Sequence, residues 1–323
     1  MDRKIQLSTS WPLYGLATGL MATLAQVDPL VQFVFTLFWS VPIVYVIKKE
    51  GLLQGLMALG IAWVMLFFSK VGIFNATIVV SQIGIMSMVL GVAFIKNIPG
   101  KQTLMTLILV TIILQLISYG ITYPTVHGHL AEMRSNMEST LEESLDIYRE
   151  QGLLPPDDVR EAEVKDLMKN SFNFIIDVFP ATMIFISFMS SIGNYFFSLW
   201  YLRRNYFDLG NQVKVFEFAL PWYSIWIMIL GLSFILVPID NALLTLIGKN
   251  LIALYVAISL YIGLLIVWRF LSRWKTRRFL KVLVIFALVF NMYFTLILLA
   301  LFGMFDPVFN FRKLGRDEKD QKK

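Results

Sequence analysis

The sequence contains no cysteine and only two histidines, His127 and His129. The lack of cysteine excludes disulfides, iron–sulfur clusters, thiolate metal sites and cysteine nucleophiles. The two histidines are separated by one residue, so they cannot share a helical face, and no cysteine or third histidine can assist them. We therefore expect no metal site and no cofactor.

Charge and catalytic motifs are also scarce. Only 15% of the residues are charged, 57% are hydrophobic, and the mean hydropathy is +0.69, which is too apolar for a water-soluble domain. The chain lacks Gly-x-Ser-x-Gly, His-Glu-x-x-His and a phosphate-binding glycine loop. These observations predict an integral membrane protein that contacts the lipid bilayer, does not bind nucleic acid and is not an enzyme.

Long apolar runs predict the fold class, because about 20 apolar residues suffice for one helix to cross a bilayer. We predict an all-α, polytopic transmembrane helical bundle of about nine spans. The predicted spans are 11–27, 29–47, 52–69, 73–95, 102–123, 172–202, 219–238, 243–268 and 282–304. The chain then divides into helices one to five (1–123), an acidic insert (124–171), helices six to nine (172–304) and a polar tail (305–323).

Basic residues cluster in alternate loops. Lys48 and Lys49 follow the second span, Arg203 and Arg204 follow the sixth, and a further basic group follows the eighth. Because Lys and Arg stay on the cytoplasmic side, this pattern predicts a cytoplasmic N-terminus. Nine spans would place the basic tail outside, so either the tail is translocated or one predicted span is a re-entrant or interfacial segment. The candidates are the short first two spans and the stretch 239–250.

The insert 124–171 carries eleven carboxylates and five Lys or Arg, a net charge of −6. Its apolar residues recur at helical spacing from Leu130 to Tyr148, which predicts a helix from about 128 to 151. Gly152 and the following prolines predict a turn, after which a second helix begins near Val159. We therefore predict an extracytoplasmic helical hairpin.

Polar residues within the spans give the candidate ligand site. Asp177 lies near the start of the sixth span, beside Pro180, which predicts a kink there because proline has no N–H. Gln82, Gln115 and Asn194 are neutral polar residues deeper in the spans. They either hydrogen-bond neighbouring helices or line a cavity that opens outward, with Asp177 at its mouth.

Small residues form one face of the first span. Gly15 and Gly19 are four residues apart, and Ala22 continues the same face. Such faces let two helices approach closely in lipid. The face therefore predicts either packing inside the bundle or docking to a separate membrane partner.

Two stretches carry a resemblance to a known family: the segment Leu301-Phe302-Gly303-Met304-Phe305-Asp306-Pro307-Val308-Phe309-Asn310-Phe311-Arg312-Lys313 and the acidic hairpin between the fifth and sixth spans. The sequence resembles the YybS-like family of predicted bacterial multi-pass membrane proteins. That family is similar in fold to the substrate-binding S components of energy-coupling factor transporters and more remotely to the rod-shape membrane protein MreD.

The resemblance implies a location in the bacterial inner membrane and two alternative functions. The first is a transporter-like subunit that binds a small molecule from outside and relies on partner proteins for energy. In S components a small-residue pattern on the first helix contacts the coupling subunit, and Gly15, Gly19 and Ala22 are its counterpart here. The second is a non-transporting scaffold that assembles cell-wall or division-related proteins at the envelope.

Overall fold

The architecture is that of a computed structural model, which describes residues 10–151, 159–210, 212, 218, 220–237, 241–274 and 278–312. These residues form helices and connecting turns, without strands. The α-helices are α1 (Trp11–Leu24), α2 (Pro29–Thr36), α3 (Val41–Glu50), α4 (Leu52–Leu66), α5 (Ile73–Ile95), α6 (Gly100–Glu150), α7 (Val159–Asp177), α8 (Phe179–Arg204), α9 (Ile225–Leu236), α10 (Ala242–Arg273), α11 (Arg278–Phe290) and α12 (Met292–Phe309).

The predicted polytopic all-α fold is confirmed. In the described part of the chain, seven segments are long and apolar enough to cross a membrane: Pro29–Glu50, Leu52–Ser69, Ile73–Ile95, Gly100–Val126, Phe179–Arg204, Ala242–Arg273 and Met292–Phe309. The predicted first and seventh spans correspond to α1 and Trp222–Leu236, which are shorter than about 20 residues. The predicted ninth span is divided at Asn291, where the backbone leaves the helical conformation between α11 and α12.

The predicted boundary between the fifth span and the hairpin is absent, because α6 is one continuous helix of 51 residues. Pro124 lies inside this helix. A proline removes only one backbone hydrogen bond, so the helix can continue past it. The second arm, α7, begins at Val159 as predicted and extends to Asp177, beyond the expected end at 171. The predicted turn at Gly152 lies outside the described residues.

The chain folds into two compact units. Unit 1 comprises 1–118 and 186–218, and unit 2 comprises 119–185 and 219–323. Helices α6 and α8 each pass from one unit to the other. The predicted polar tail overlaps α12, which continues to Phe309, and the part from 313 lies outside the described residues.

Small residues hold the helices of unit 2 together. Gly263 of α10 and Gly303 of α12 lie against the backbone of the opposite helix, so closely that neither site has room for a Cβ atom. Gly231 of α9 and Gly248 of α10 pack in the same way. Close backbone approach of this kind is how helices associate in lipid, where the surroundings are as apolar as the side chains.

Candidate functional site

The boundary between α7 and α8 is a helix interruption at Val178, as the position of Pro180 predicts. The Asn250 side chain of α10 hydrogen-bonds to the backbone on both sides of the interruption. The Asn250 Nδ2 group donates to the Asp177 carbonyl oxygen at 2.7 Å, and the Asn250 Oδ1 atom accepts from the Ala181 N–H at 2.9 Å. In a continuous helix the Ala181 N–H would donate to the Asp177 carbonyl. The Asn250 carboxamide therefore replaces one backbone hydrogen bond of the helix.

Asp177 forms an ion pair at this interruption. The Lys249 Nζ atom lies 2.8 Å from the Asp177 Oδ2 atom, and the two side chains are 33% and 24% exposed. Lys249 lies within the candidate span Ala242–Arg273, where a charged group is costly unless it is paired. The sequence analysis placed only Asp177 at the mouth of the predicted cavity. In the structure Lys249 lies beside it, so the site carries both signs.

A second interruption lies in unit 1, within the span Pro29–Glu50. Helix α2 ends at Thr36 and α3 begins at Val41. The Asn194 Oδ1 atom accepts from the Ser40 N–H at 3.0 Å, and the Asn194 Nδ2 group donates to the Thr36 carbonyl at 2.6 Å. The pair Thr36 and Ser40 has the same four-residue spacing as Asp177 and Ala181. Both interruptions are thus bridged by an asparagine from a neighbouring helix.

Asn194 is fully buried, and its amide hydrogens and oxygen all have protein partners. The Ser190 hydroxyl also donates to the Thr36 carbonyl, at 2.7 Å. Gly193 of α8 lets the two helices approach, because a Cβ atom there would lie 2.6 Å from the Leu37 carbonyl oxygen. The geometry favours the packing interpretation of Asn194 over a role in lining a cavity.

Gln82 and Gln115, the remaining predicted ligand residues, lie close together in unit 1. The Gln82 Nε2 group donates to the Ser118 hydroxyl at 3.0 Å and lies 3.5 Å from the Gln115 Oε1 atom. They link α5 to α6. Asp177 belongs to unit 2, so the four predicted residues fall into three local hydrogen-bonding groups.

The small-residue face of α1 lies inside unit 1. Gly15, Gly19 and Ala22 are buried against α4, and a Cβ atom at Gly15 would lie 2.6 Å from the Ala58 carbonyl oxygen. A partner cannot reach these residues while α1 lies on α4. The structure therefore favours internal packing over partner docking for this face.

A buried ion pair near the end of α12 escaped the sequence analysis. The Arg312 Nη2 and Nε atoms lie 2.6 and 2.9 Å from the Asp306 Oδ2 atom, and the side chains are 0% and 3% exposed. Asn310 ends the helix in the left-handed conformation, which turns the chain back so that Arg312 meets Asp306. Both residues lie in the segment 301–313, which carried the family resemblance. That resemblance was the one feature of the sequence that could have directed attention to this pair.

Comparison with known proteins identifies a family but no function. No curated protein and no solved structure matches the chain. A family model described as "Predicted membrane protein (DUF2232)" matches residues 16–307, which is most of the chain. The matched region includes both interrupted helices and the apolar spans on which they lie. The chain therefore belongs to the DUF2232 family of predicted membrane proteins.

Proposed function

We propose that this protein is a non-enzymatic, transporter-like membrane subunit that binds a small polar molecule at the Asp177 and Lys249 pair. The observation that carries the proposal is the helix interruption at Val178, where this partly exposed ion pair and the Asn250 carboxamide meet. Interrupted helices that bring backbone and charged groups together are the usual construction of substrate sites in transporters. The pair is partly exposed, so a small molecule can reach both charges.

The charge of the site defines the class of ligand. Asp177 and Lys249 together are neutral, so the site favours a neutral or zwitterionic molecule over one with a net charge. A zwitterion can pair with both residues at once: its cation replaces Lys249 as the partner of Asp177, and its anion replaces Asp177 as the partner of Lys249. Neither protein charge is then left unpaired in a medium of low dielectric constant.

The setting of this activity forms part of the proposal. Following the basic loops and the family resemblance, we place the protein in the bacterial inner membrane with a cytoplasmic N-terminus. Kinship with YybS-like proteins and with S components would supply a coupling subunit that provides energy. Because Gly15 and Gly19 pack against α4, such a subunit would have to contact another surface.

The test is a thermal-stability screen of the purified protein against a library of small polar metabolites. A ligand at about a hundredfold excess over its dissociation constant should stabilise the wild type by about 2.7 kcal/mol. The double variant Asp177→Asn/Lys249→Gln should lose this response. The charge-reversed variant Asp177→Lys/Lys249→Asp keeps both charges in exchanged places, so it should retain ligand-free stability; a bound zwitterion would have to turn end for end, so the ligand response should be weakened rather than lost. No stabilising compound on well-folded wild type would refute the transport proposal.

The scaffold alternative has its own supporting observation in the hairpin. A cleft of about 400 Å³ runs between α6 and α7, and its lining is mostly apolar with three methionines: Met133, Asn136, Met137, Thr140, Ser144, Met168 and Phe172. Methionine-rich surfaces adapt to protein partners. A scaffold would lose its co-purifying partners when the hairpin is replaced by a short linker, and Asp177→Asn/Lys249→Gln would leave those partners unchanged.

A further inference from the structure

An apolar groove in unit 1 lies apart from the Asp177 site. Its volume is about 370 Å³, within the range of small-molecule pockets, and it opens to the surroundings of the bundle. Helices α1, α3 and α8 and the turn before α3 supply its lining: Tyr14, Ala17, Met21, Phe38, Val41, Pro42, Phe197, Trp200 and Tyr201. Because α3 and α8 lie in candidate membrane spans, lipids are the molecules that surround the groove.

Polar and aromatic groups close one end of the groove. The Tyr14 and Tyr201 hydroxyl oxygens lie 2.9 Å apart, and the Tyr45 ring packs 4.8 Å from the Tyr14 ring and 5.3 Å from the Tyr201 ring. Tyrosine and tryptophan occupy such positions at membrane interfaces, where one end of the side chain is apolar and the other is hydrated. The groove therefore changes from apolar at Met21 and Phe38 to polar at Tyr14 and Tyr201.

Two cations lie at the same end. The Arg204 guanidinium stacks over the Trp200 ring at 5.6 Å, and the Lys49 ammonium lies 5.6 Å from the centre of the Tyr45 ring. Glu50 is the acid beside Lys49. It accepts hydrogen bonds from the Ser10 N–H and hydroxyl, and the Lys49 Nζ group donates to the same hydroxyl at 3.3 Å. Positive charge thus stands where the apolar groove ends.

We propose that the groove binds an anionic phospholipid from the bilayer. One acyl chain lies along the apolar lining, and the phosphate meets Arg204 and Lys49 beside the tyrosine hydroxyls. The groove complements the lipid in two ways: its apolar surface accepts the acyl chain, and the cations complement the negative headgroup. A zwitterionic phospholipid is complemented only in the first way, so the site discriminates by headgroup charge.

The charge half of the proposal is tested by titrating delipidated protein with phosphatidylglycerol or phosphatidylcholine of identical acyl chains. Native mass spectrometry should detect tighter binding of phosphatidylglycerol. Arg204→Gln should weaken that binding about fivefold, the effect of removing one basic residue near a lipid surface. Arg203→Gln is the matched control, because Arg203 is the adjacent exposed cation without the Trp200 stack, and it should weaken binding less than Arg204→Gln does. Equal affinity for both lipids, or equal loss in both variants, would overturn the proposal.

The groove itself is tested by filling it. Ala17→Phe places a ring in the groove and should abolish binding of both lipids, whereas Leu16→Phe on the exposed side of α1 should not. Unchanged binding to folded Ala17→Phe would contradict the proposal. So would a dimer that excludes lipid, because a second copy of the chain would then occupy the groove. The Arg204 comparison decides the matter if Ala17→Phe fails to fold.

Discussion

Replacing Asn194 by leucine tests the bridged helix interruption in unit 1. Leucine has a similar volume, so the variant removes the carboxamide without leaving a large cavity. The Thr36 carbonyl keeps the Ser190 hydroxyl as a donor, but the Ser40 N–H and hydroxyl both lose the Asn194 oxygen that accepts them. One buried, unsatisfied N–H costs about 1–3 kcal/mol, and we expect Asn194→Leu to lower the free energy of unfolding by at least that amount.

The assay combines equilibrium unfolding in mixed micelles with amide hydrogen exchange. Exchange at the Ser40 amide should accelerate in Asn194→Leu, because its acceptor is gone. Ser191→Ala is the matched control: Ser191 is equally buried on α8, but its hydroxyl donates only within that helix, to the Ser187 carbonyl. We expect a change of about 0.6 kcal/mol or less there.

A third variant separates the two halves of the bridge. Asn194→Asp keeps an oxygen that can accept from Ser40 but replaces the Nδ2 group that donates to the Thr36 carbonyl. We expect destabilisation with a smaller change in Ser40 exchange. The reasoning is refuted if Asn194→Leu is as stable as Ser191→Ala and the Ser40 amide keeps its protection.

Three further predictions concern packing, buried charge and topology. Gly15→Ala should destabilise the protein, because the new Cβ meets a rigid backbone oxygen of α4, whereas Gly60→Ala, with nothing within 4 Å, should not; unfolding measurements on both compare them directly. Arg312→Gln should cost about 3–5 kcal/mol, because it leaves the Asp306 carboxylate buried without its charge partner. The double variant Asp306→Asn/Arg312→Gln should recover part of this loss, and equal stability of the two variants would contradict the estimate. Ser139→Cys should react with a membrane-impermeant thiol reagent on intact cells, because the hairpin is predicted to lie outside; labelling only after lysis would reverse the topology.

The sequence by itself determined the fold class and the approximate positions of the membrane helices. The length of each apolar run identifies a span because the thickness of the bilayer fixes how many apolar residues are needed to cross it. Lipid offers no hydrogen-bond partner for the backbone, so such a run must be helical in this all-α protein. The sequence also predicted an interruption beside Pro180, since proline has no N–H, and the structure has one at Val178. Among the described residues fewer than nine segments are long enough to span, because α1 and Trp222–Leu236 are apolar but short, and α6 continues across the division predicted between 123 and 124.

Only the tertiary structure decided what the polar and small residues do. Asp177 meets Lys249 across 72 positions of sequence, and Asn194 meets Ser40 across 154, so no local pattern could pair them. The alternatives for Gly15, packing or docking, are indistinguishable in sequence because both require the same close backbone approach. The role of a helix face depends on which element packs against it, and contacts between segments distant in sequence determine that element.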